Sequence, residues 1–350
     1  MDKTNRSFKW GVLGASRVGA SHIRHGLPNQ DCIGPTENPD GSIILAVADG
    51  HGSPRSFYSD IGSRLAVQAA IEVCKDFIEQ VRDTPIAFAR NQAEQQIPRR
   101  ILKKWEDGIR IHHEQNSFSP EKQLLVGAPD RYPIAYGSTL LVAFATQKYL
   151  VAFQLGDGDM LAVSDETGEV SYVIEKDPSL IANETTSLCQ KEAWKYFRFR
   201  FHLFESRPPA LILISSDGYA NSFASTSGFM KTGIDFLDIL TNQGPEWLET
   251  KLPQWLDEAS REGSGDDISV GIIYRKHPAI QPRIVGVPID EPSEPSQEVS
   301  QEPVVSSNPN YSSLQESQDH QVDLSSRTES LDDSTGNNPD QSSTTRPNSK

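Results

Sequence analysis

Four strand-like runs, Thr139 to Thr146, Tyr149 to Leu155, Met160 to Ser164 and Val170 to Ile174, follow one another with only "QK", "GDGD" and "DETGE" between them. Links this short and polar reverse the chain as hairpins do, so the block predicts an antiparallel meander. Three more runs rich in Val, Ile and Leu stand at Ser42 to Ala48, Ala210 to Ser215 and Ile268 to Tyr274.

Helical spacing marks the intervals. Ala66, Ala70, Val73, Cys74, Phe77 and Val81 share one face, and Ile97, Ile101, Trp105 and Ile109 recur every fourth residue, which predicts an antiparallel helix pair between the first strand and the meander. Further helices are expected over Asp235 to Leu240 and Glu246 to Arg261, the latter kinked or divided at Pro253. Helices packed outside antiparallel sheets give an α+β fold.

Composition divides the chain. Beyond Lys276 there is no Phe, Trp or Cys, and Ser, Pro, Glu, Gln, Asp and Asn dominate. So few apolar side chains cannot offset the entropy of ordering, so residues 277–350 are read as a disordered acidic tail on a folded domain of residues 7–276. The net charge is -15, eight of those charges lying in the tail, and neither part shows a basic stripe. Nucleic acid is therefore not an expected partner. Cys32, Cys74 and Cys189 are widely spaced and in no CxxC arrangement, which fits a reducing cytoplasm and argues against a thiolate metal site. No apolar run approaches the ~20 residues of a membrane span, and the polar start "MDKTNRSFKW" has no following apolar region, so a soluble, unexported monomer is expected.

The chemistry gathers at strand ends. "IILAVADGHGS" runs from a buried strand into Asp49, Gly50 and His51; "LILISSDG" puts Asp217 just past a strand; "GSGDDISVGIIY" puts Asp266 and Asp267 just before one; "VAFQLGDGD" puts Asp157 and Asp159 in the turn leaving one. Any one Asp-Gly alone is explained by a turn. Several at the ends of strands in one sheet edge would repel one another unless a cation intervenes. Oxygen ligands without clustered Cys or His favour Mg²⁺ or Mn²⁺. Two such ions can share a water, lower its pKa and aim it at phosphorus, and His51 beside them is a plausible general acid for the leaving oxygen.

Taken jointly, "ADGHGS" (Ala48 to Ser53), "YGSTLLVA" (Tyr136 to Ala143), "LGDGDM" (Leu155 to Met160), "SSDGYANSF" (Ser215 to Phe223) and "GSGDDISVGII" (Gly263 to Ile273) resemble the metal-dependent protein phosphatases, the PPM or type 2C serine/threonine phosphatases, in a bacterial branch. The resemblance implies a four-layer α-β-β-α sandwich and hydrolysis of phosphoserine or phosphothreonine in a protein, the product of a serine/threonine kinase. It implies Asp49 bridging two Mg²⁺ or Mn²⁺ ions, the Gly50 carbonyl on one of them, Asp217 and Asp266 completing the pair, and Asp157 helping to hold a third, weaker ion. Asp31 would hold metal-bound water, and His51 would be the general acid. Asp267 stands where many members have Asn, outside the ligands.

The match departs near the N-terminus. "GASHIRHGLPNQDC" has Gln30-Asp31 in place of Glu-Asp and no Arg at the usual distance, so Arg24 and His22 are the phosphate-binding candidates, against a reading of both as surface residues on a strand. "GVLGASRVGA" lacks dinucleotide-loop spacing and is a decoy, and His112-His113 reads as a polar helix end. Two rival functions stand beside the phosphatase: a phosphoprotein-binding module that keeps the fold without turnover, and a hydrolase of small phosphate esters. The tail could be a linker, a docking segment or a phosphoacceptor region.

Overall fold

"IILAVA" and "LLVAFA" are buried at every position, so the sheet that contains them must be covered on both faces. A computed structural model, describing residues 8–176, 185–205 and 207–276, shows how. In chain order its elements are β1 (Lys9–Arg17), α1 (Ala20–His25), β2 (Cys32–Glu37), β3 (Ile43–Ala48), α2 (Ser59–Val81), α3 (Ile86–Gln115), α4 (Pro120–Val126), β4 (Leu140–Ala145), β5 (Tyr149–Leu155), β6 (Asp159–Val163), β7 (Val170–Tyr172), β8 (Arg198–Leu203), β9 (Leu211–Ser215), α5 (Asp217–Ala220), α6 (Thr226–Asn242), α7 (Pro245–Glu262) and β10 (Ile268–Lys276). The chain divides into units of residues 1–284 and 285–350, and every described residue belongs to the first. The tail expected over 277–350 lies outside the described residues.

Two antiparallel five-stranded sheets form, in the orders β1-β10-β9-β6-β7 and β2-β3-β4-β5-β8. Alternation along β3 assigns its faces. Ile44, Ala46 and Ala48 join Ala66, Val73, Phe77, Ile97 and Trp105 of α2 and α3 in one core. Ile43, Leu45 and Val47 meet Met160, Ile212, Ile214 and Ile273 of the other sheet in a second. A third lies between that sheet and α6 and α7, where Leu161, Leu213 and Ile272 pack on Phe229, Phe236, Leu248 and Leu252. Three apolar seams make four layers, the expected α-β-β-α sandwich.

The expected meander is corrected at "GDGD". β4 pairs with β5, and β6 pairs with β7 and β9, but β5 and β6 belong to different sheets. Gly156, at φ 108°, takes a backbone conformation that disfavours other residues and turns the chain from one sheet to the other. Asp157 is thereby carried on a link between sheets, at the edge where they meet. At Pro253 the expected division is corrected: α7 is one helix with the proline inside it. "GVLGASR" is the strand β1, and its Gly11 faces the Tyr274 ring of β10, where a Cβ would fall 2.3 Å from a ring carbon. His112 and His113 are packing residues of α3: His112 Nδ1 lies 2.8 Å from the Tyr136 hydroxyl and His113 stacks on Tyr132. Among the described residues no helix is long and apolar enough to cross a membrane, and Cys32, Cys74 and Cys189 are free.

Candidate metal centre

Asp49 directly follows β3, and its backbone is clamped to Thr139, just before β4. The Asp49 N–H donates to Thr139 Oγ1 at 3.0 Å and its carbonyl accepts from the Thr139 N–H at 2.8 Å. Gly50 is buried where nothing larger fits: a Cβ would fall 2.6 Å from the Gln30 carbonyl oxygen and 2.7 Å from that of Ser59. The Gly50 N–H donates to the Gln30 carbonyl at 3.1 Å and the His51 N–H to that of Gly137 at 3.0 Å. The loop path is thus fixed by backbone bonds on both sides, and the side chains of Asp49 and His51 are left to the site.

The remaining carboxylates arrive from three directions. Asp217 opens α5 directly after β9, and Asn221 Nδ2 donates to its Oδ2 at 3.1 Å. Asp31, just before β2, is 7% exposed and accepts from Ser216 Oγ at 2.7 Å, while its Oδ1 is buried with no hydrogen-bond partner. Ser216 is itself held by the Ser269 N–H at 2.9 Å, so β9 and β10 together brace Asp31. Asp266 is exposed and its Oδ1 accepts from the Asp267 N–H at 2.9 Å. Asp157 is exposed and accepts from Thr185 Oγ1. The other acid of that turn, Asp159, is buried and paired with Lys176 Nζ at 3.0 Å, which removes it from the cluster.

Electrostatics mark the same set. Burial first, then the fields of Asp31 and Asp217, a hydrogen bond with Asp217 and the field of Asp266 hold Asp49 well above the usual carboxylate range. Asp31 is pushed up to about 8, chiefly by burial, with Ser216 pulling it down and Asp267 adding to the rise. Burial also raises Asp217, its hydrogen bond with Asp49 opposing and the fields of Asp157 and Asp266 adding. The charged groups that weigh most on these three are all carboxylates. Buried carboxylates normally have a cationic partner, and oxygen donors gathered without one fit a hard divalent cation. The unpartnered Asp31 Oδ1 fits it too. No three His, Cys, Asp or Glu side chains among the described residues form a ready-made cage.

His51 is half-buried; burial lowers its pKa and the field of Asp157 raises it. A Cβ on Gly137 would fall 2.5 Å from His51 Cδ2, so that glycine leaves the imidazole its room. His22 and Arg24 stand on the helix α1, which corrects their reading as strand residues. Arg24 is exposed. His22 Nδ1 lies 2.9 Å from Asp267 Oδ2, near enough for an ion pair yet not aligned as a hydrogen bond. Asp267, 3% exposed, also accepts the N–H groups of Gly19 and Gln30, each at 2.6 Å, and so joins α1, the approach to Asp31 and the loop of Asp266. Sequence reasoning missed Ser216, Thr139 and this junction. The doubled serine of "SSDG" was a signal for the first; the others are contacts between residues far apart in the chain.

Acidic strand ends gathered at one edge of a double-sheet sandwich make a candidate cation site. The model of the protein phosphatase 2C family matches residues 18–257, more than half of the chain, and the chain belongs to that family of metal-dependent serine/threonine protein phosphatases. The matched stretch includes Asp31, Asp49, His51, Asp157 and Asp217 and stops short of Asp266. Among solved structures, the S. agalactiae serine/threonine phosphatase is 19% identical, covering 76% of this chain and 100% of its own, at a TM-score of 0.48. The Mycobacterium tuberculosis serine/threonine phosphatase PstP/Ppp is 15% identical over 77% of this chain and 99% of its own, at 0.47. A PstP catalytic domain in complex with two manganese ions is 17% identical over 77% and 100%, at 0.45. No curated protein matches the chain significantly.

Proposed function

We propose that this chain is a Mg²⁺- or Mn²⁺-dependent protein serine/threonine phosphatase acting on phosphoserine or phosphothreonine left by a partner kinase. The observation that carries the reading is buried Asp31 beside half-buried Asp49 and Asp217, with only carboxylates as their strongest charged neighbours. Asp49, Asp217, Asp266 and the Gly50 carbonyl would hold two ions, with Asp157 assisting a third. When bound, the ions would neutralise phosphoryl oxygens and activate the attacking water.

The chain's own residues divide the rest of the work. Thr139 fixes the backbone from which the Asp49 carboxylate extends. Asp31, anchored at Oδ2 by Ser216, leaves its buried Oδ1 without a protein partner, and that oxygen would accept from and orient water. The His51 imidazole gives its proton to the oxygen leaving phosphorus; a pKa lowered by burial makes that proton a good one to donate, and Asp157 favours its being there. Of the two basic residues of α1, exposed Arg24 is favoured to meet phosphoryl oxygens, because His22 lies against Asp267. We read residues 7–276 as the phosphatase unit and the molecule as a cytoplasmic monomer, in keeping with three unpaired cysteines.

Phosphate release from phosphothreonine and phosphoserine peptides, in Mn²⁺, Mg²⁺ and EDTA, tests the reading. Release that depends on added metal is expected. Release that persists in EDTA overturns it, hydrolysis of aryl phosphate alone supports the small-ester rival, and phosphopeptide binding without release in any metal supports the binding module.

A further inference from the structure

β8 is the outermost strand of its sheet and among the described residues pairs only with β5, from Gln154↔Arg198 to Tyr149↔Leu203. Its side chains alternate between faces. Phe199 packs on Phe153 with ring centroids 5.1 Å apart and Phe201 on Tyr149 at 4.8 Å, both toward the core beneath α2 and α3. Arg198, Arg200 and His202 therefore lie on the opposite face. The stretch "KEAWKYFRFRFH", residues 191–202, holds four Lys and Arg against one Glu in a chain of net charge -15. Arg200 is exposed, and no carboxylate pairs with it among the described residues. The strand starts at the candidate centre: Arg198 Nη2 donates to the Gly156 carbonyl at 3.3 Å, next to Asp157.

An open strand edge is a template for another extended chain, and the exposed Arg200 guanidinium beside it suits a carboxylate. We propose that the β8 edge docks the extended, acidic flank of a phosphoprotein substrate, which adds as a further strand and leads its phosphorylated residue toward the Asp157 turn. This rests on the phosphatase reading. Charge complementarity names the occupant, and the inward packing of Phe199 and Phe201 favours a peptide over a lipid surface, which would need those rings outside.

The test uses phosphothreonine peptides that differ only in acidic, neutral or basic flanks, with the full-length protein, Arg200→Ala and Arg200→Glu, each checked for folding by thermal melt. The wild type is expected to favour the acidic over the neutral peptide by roughly fivefold in kcat/KM, mainly through KM, from one or two surface charge pairs. Arg200→Ala should remove that preference and Arg200→Glu reverse it, and N-methylation of alternate flank amides should raise KM for the acidic peptide. Hydrolysis of p-nitrophenyl phosphate, which has no flank, reports on the centre alone. Hydrolysis of all peptides without flank preference, a preference that survives Arg200→Glu, or Arg200-dependent sedimentation with phosphatidylserine vesicles in place of flank preference overturns the docking edge. No hydrolysis of any substrate overturns instead the phosphatase reading beneath it.

Discussion

Replacing Asp31 with Asn should make the metal-free protein more stable. In the folded state burial holds the carboxyl at about 8, against 3.8 when it is free, so near pH 7 folding must neutralise a group that the unfolded chain leaves ionised. Each pKa unit is 1.36 kcal/mol, which makes the cost at pH 7 at most about 4 kcal/mol. Asn is neutral and its carbonyl can still accept from Ser216, but its NH₂ would take the place of the buried, unpartnered Oδ1. An unsatisfied buried donor costs ~1–3 kcal/mol, so the net gain is about 1–3 kcal/mol, or roughly 2–10 °C in Tm. The sign with pH follows from the raised pKa. Metal-free wild type is most stable with respect to this group below about pH 4 and loses that stability as pH rises through about 8, so the variant should show a shallower slope, keeping only the share that the raised Asp49 and Asp217 contribute. Thermal melts in EDTA from pH 5 to 8.5 measure both, and addition of Mn²⁺ should reverse the ranking by stabilising the wild type more. A variant that melts below wild type in EDTA at pH 7.5, with an unchanged pH slope, refutes the reasoning.

His51→Ala should lower kcat for phosphopeptides more than it raises KM, with the smallest loss on aryl phosphates whose leaving group needs no proton, as steady-state kinetics will read. Gly50→Ala, which sets a methyl against two backbone carbonyls, should cost ~2–3 kcal/mol in urea unfolding as well as activity. Asp165→Asn should cost about 2 kcal/mol at pH 7. Burial works against the Asp165 carboxylate, yet its hydrogen bond to Arg275 at 2.6 Å and that residue's charge hold its pKa below the free value. Its contribution is therefore present above about pH 4 and fades below, so urea midpoints of variant and wild type should converge in acid.

Most of the candidate ligands were legible because Asp49, Asp157, Asp217 and Asp266 each sit beside glycine at one end of a long apolar run, and apolar runs are what sequence shows best. The helix pair was legible through its fourfold spacing. β1 was missed because its glycines, which answer the Tyr274 ring and the close second sheet, resemble a phosphate loop. β2, "CIGPTE", carries Gly and Pro on an edge, where a missing N–H is tolerated. β8 alternates Arg and Phe with a strand's period of two, and that signal was available in the sequence. The sheet change at Gly156 was not: a four-residue polar link reads the same whether it turns a hairpin or crosses between sheets. Nor could spacing reveal that Asp267 gathers Gly19, His22 and Gln30, contacts spanning most of the folded chain.

In the proposed centre Asp49 would lie between two ions. Calorimetric titration of the metal-free protein with Mn²⁺, wild type beside Asp49→Asn, tests this without any substrate. Two sites of comparable strength in the wild type, both lost or greatly weakened in the variant, are predicted. Binding by the variant with wild-type stoichiometry and affinity would contradict the metal centre.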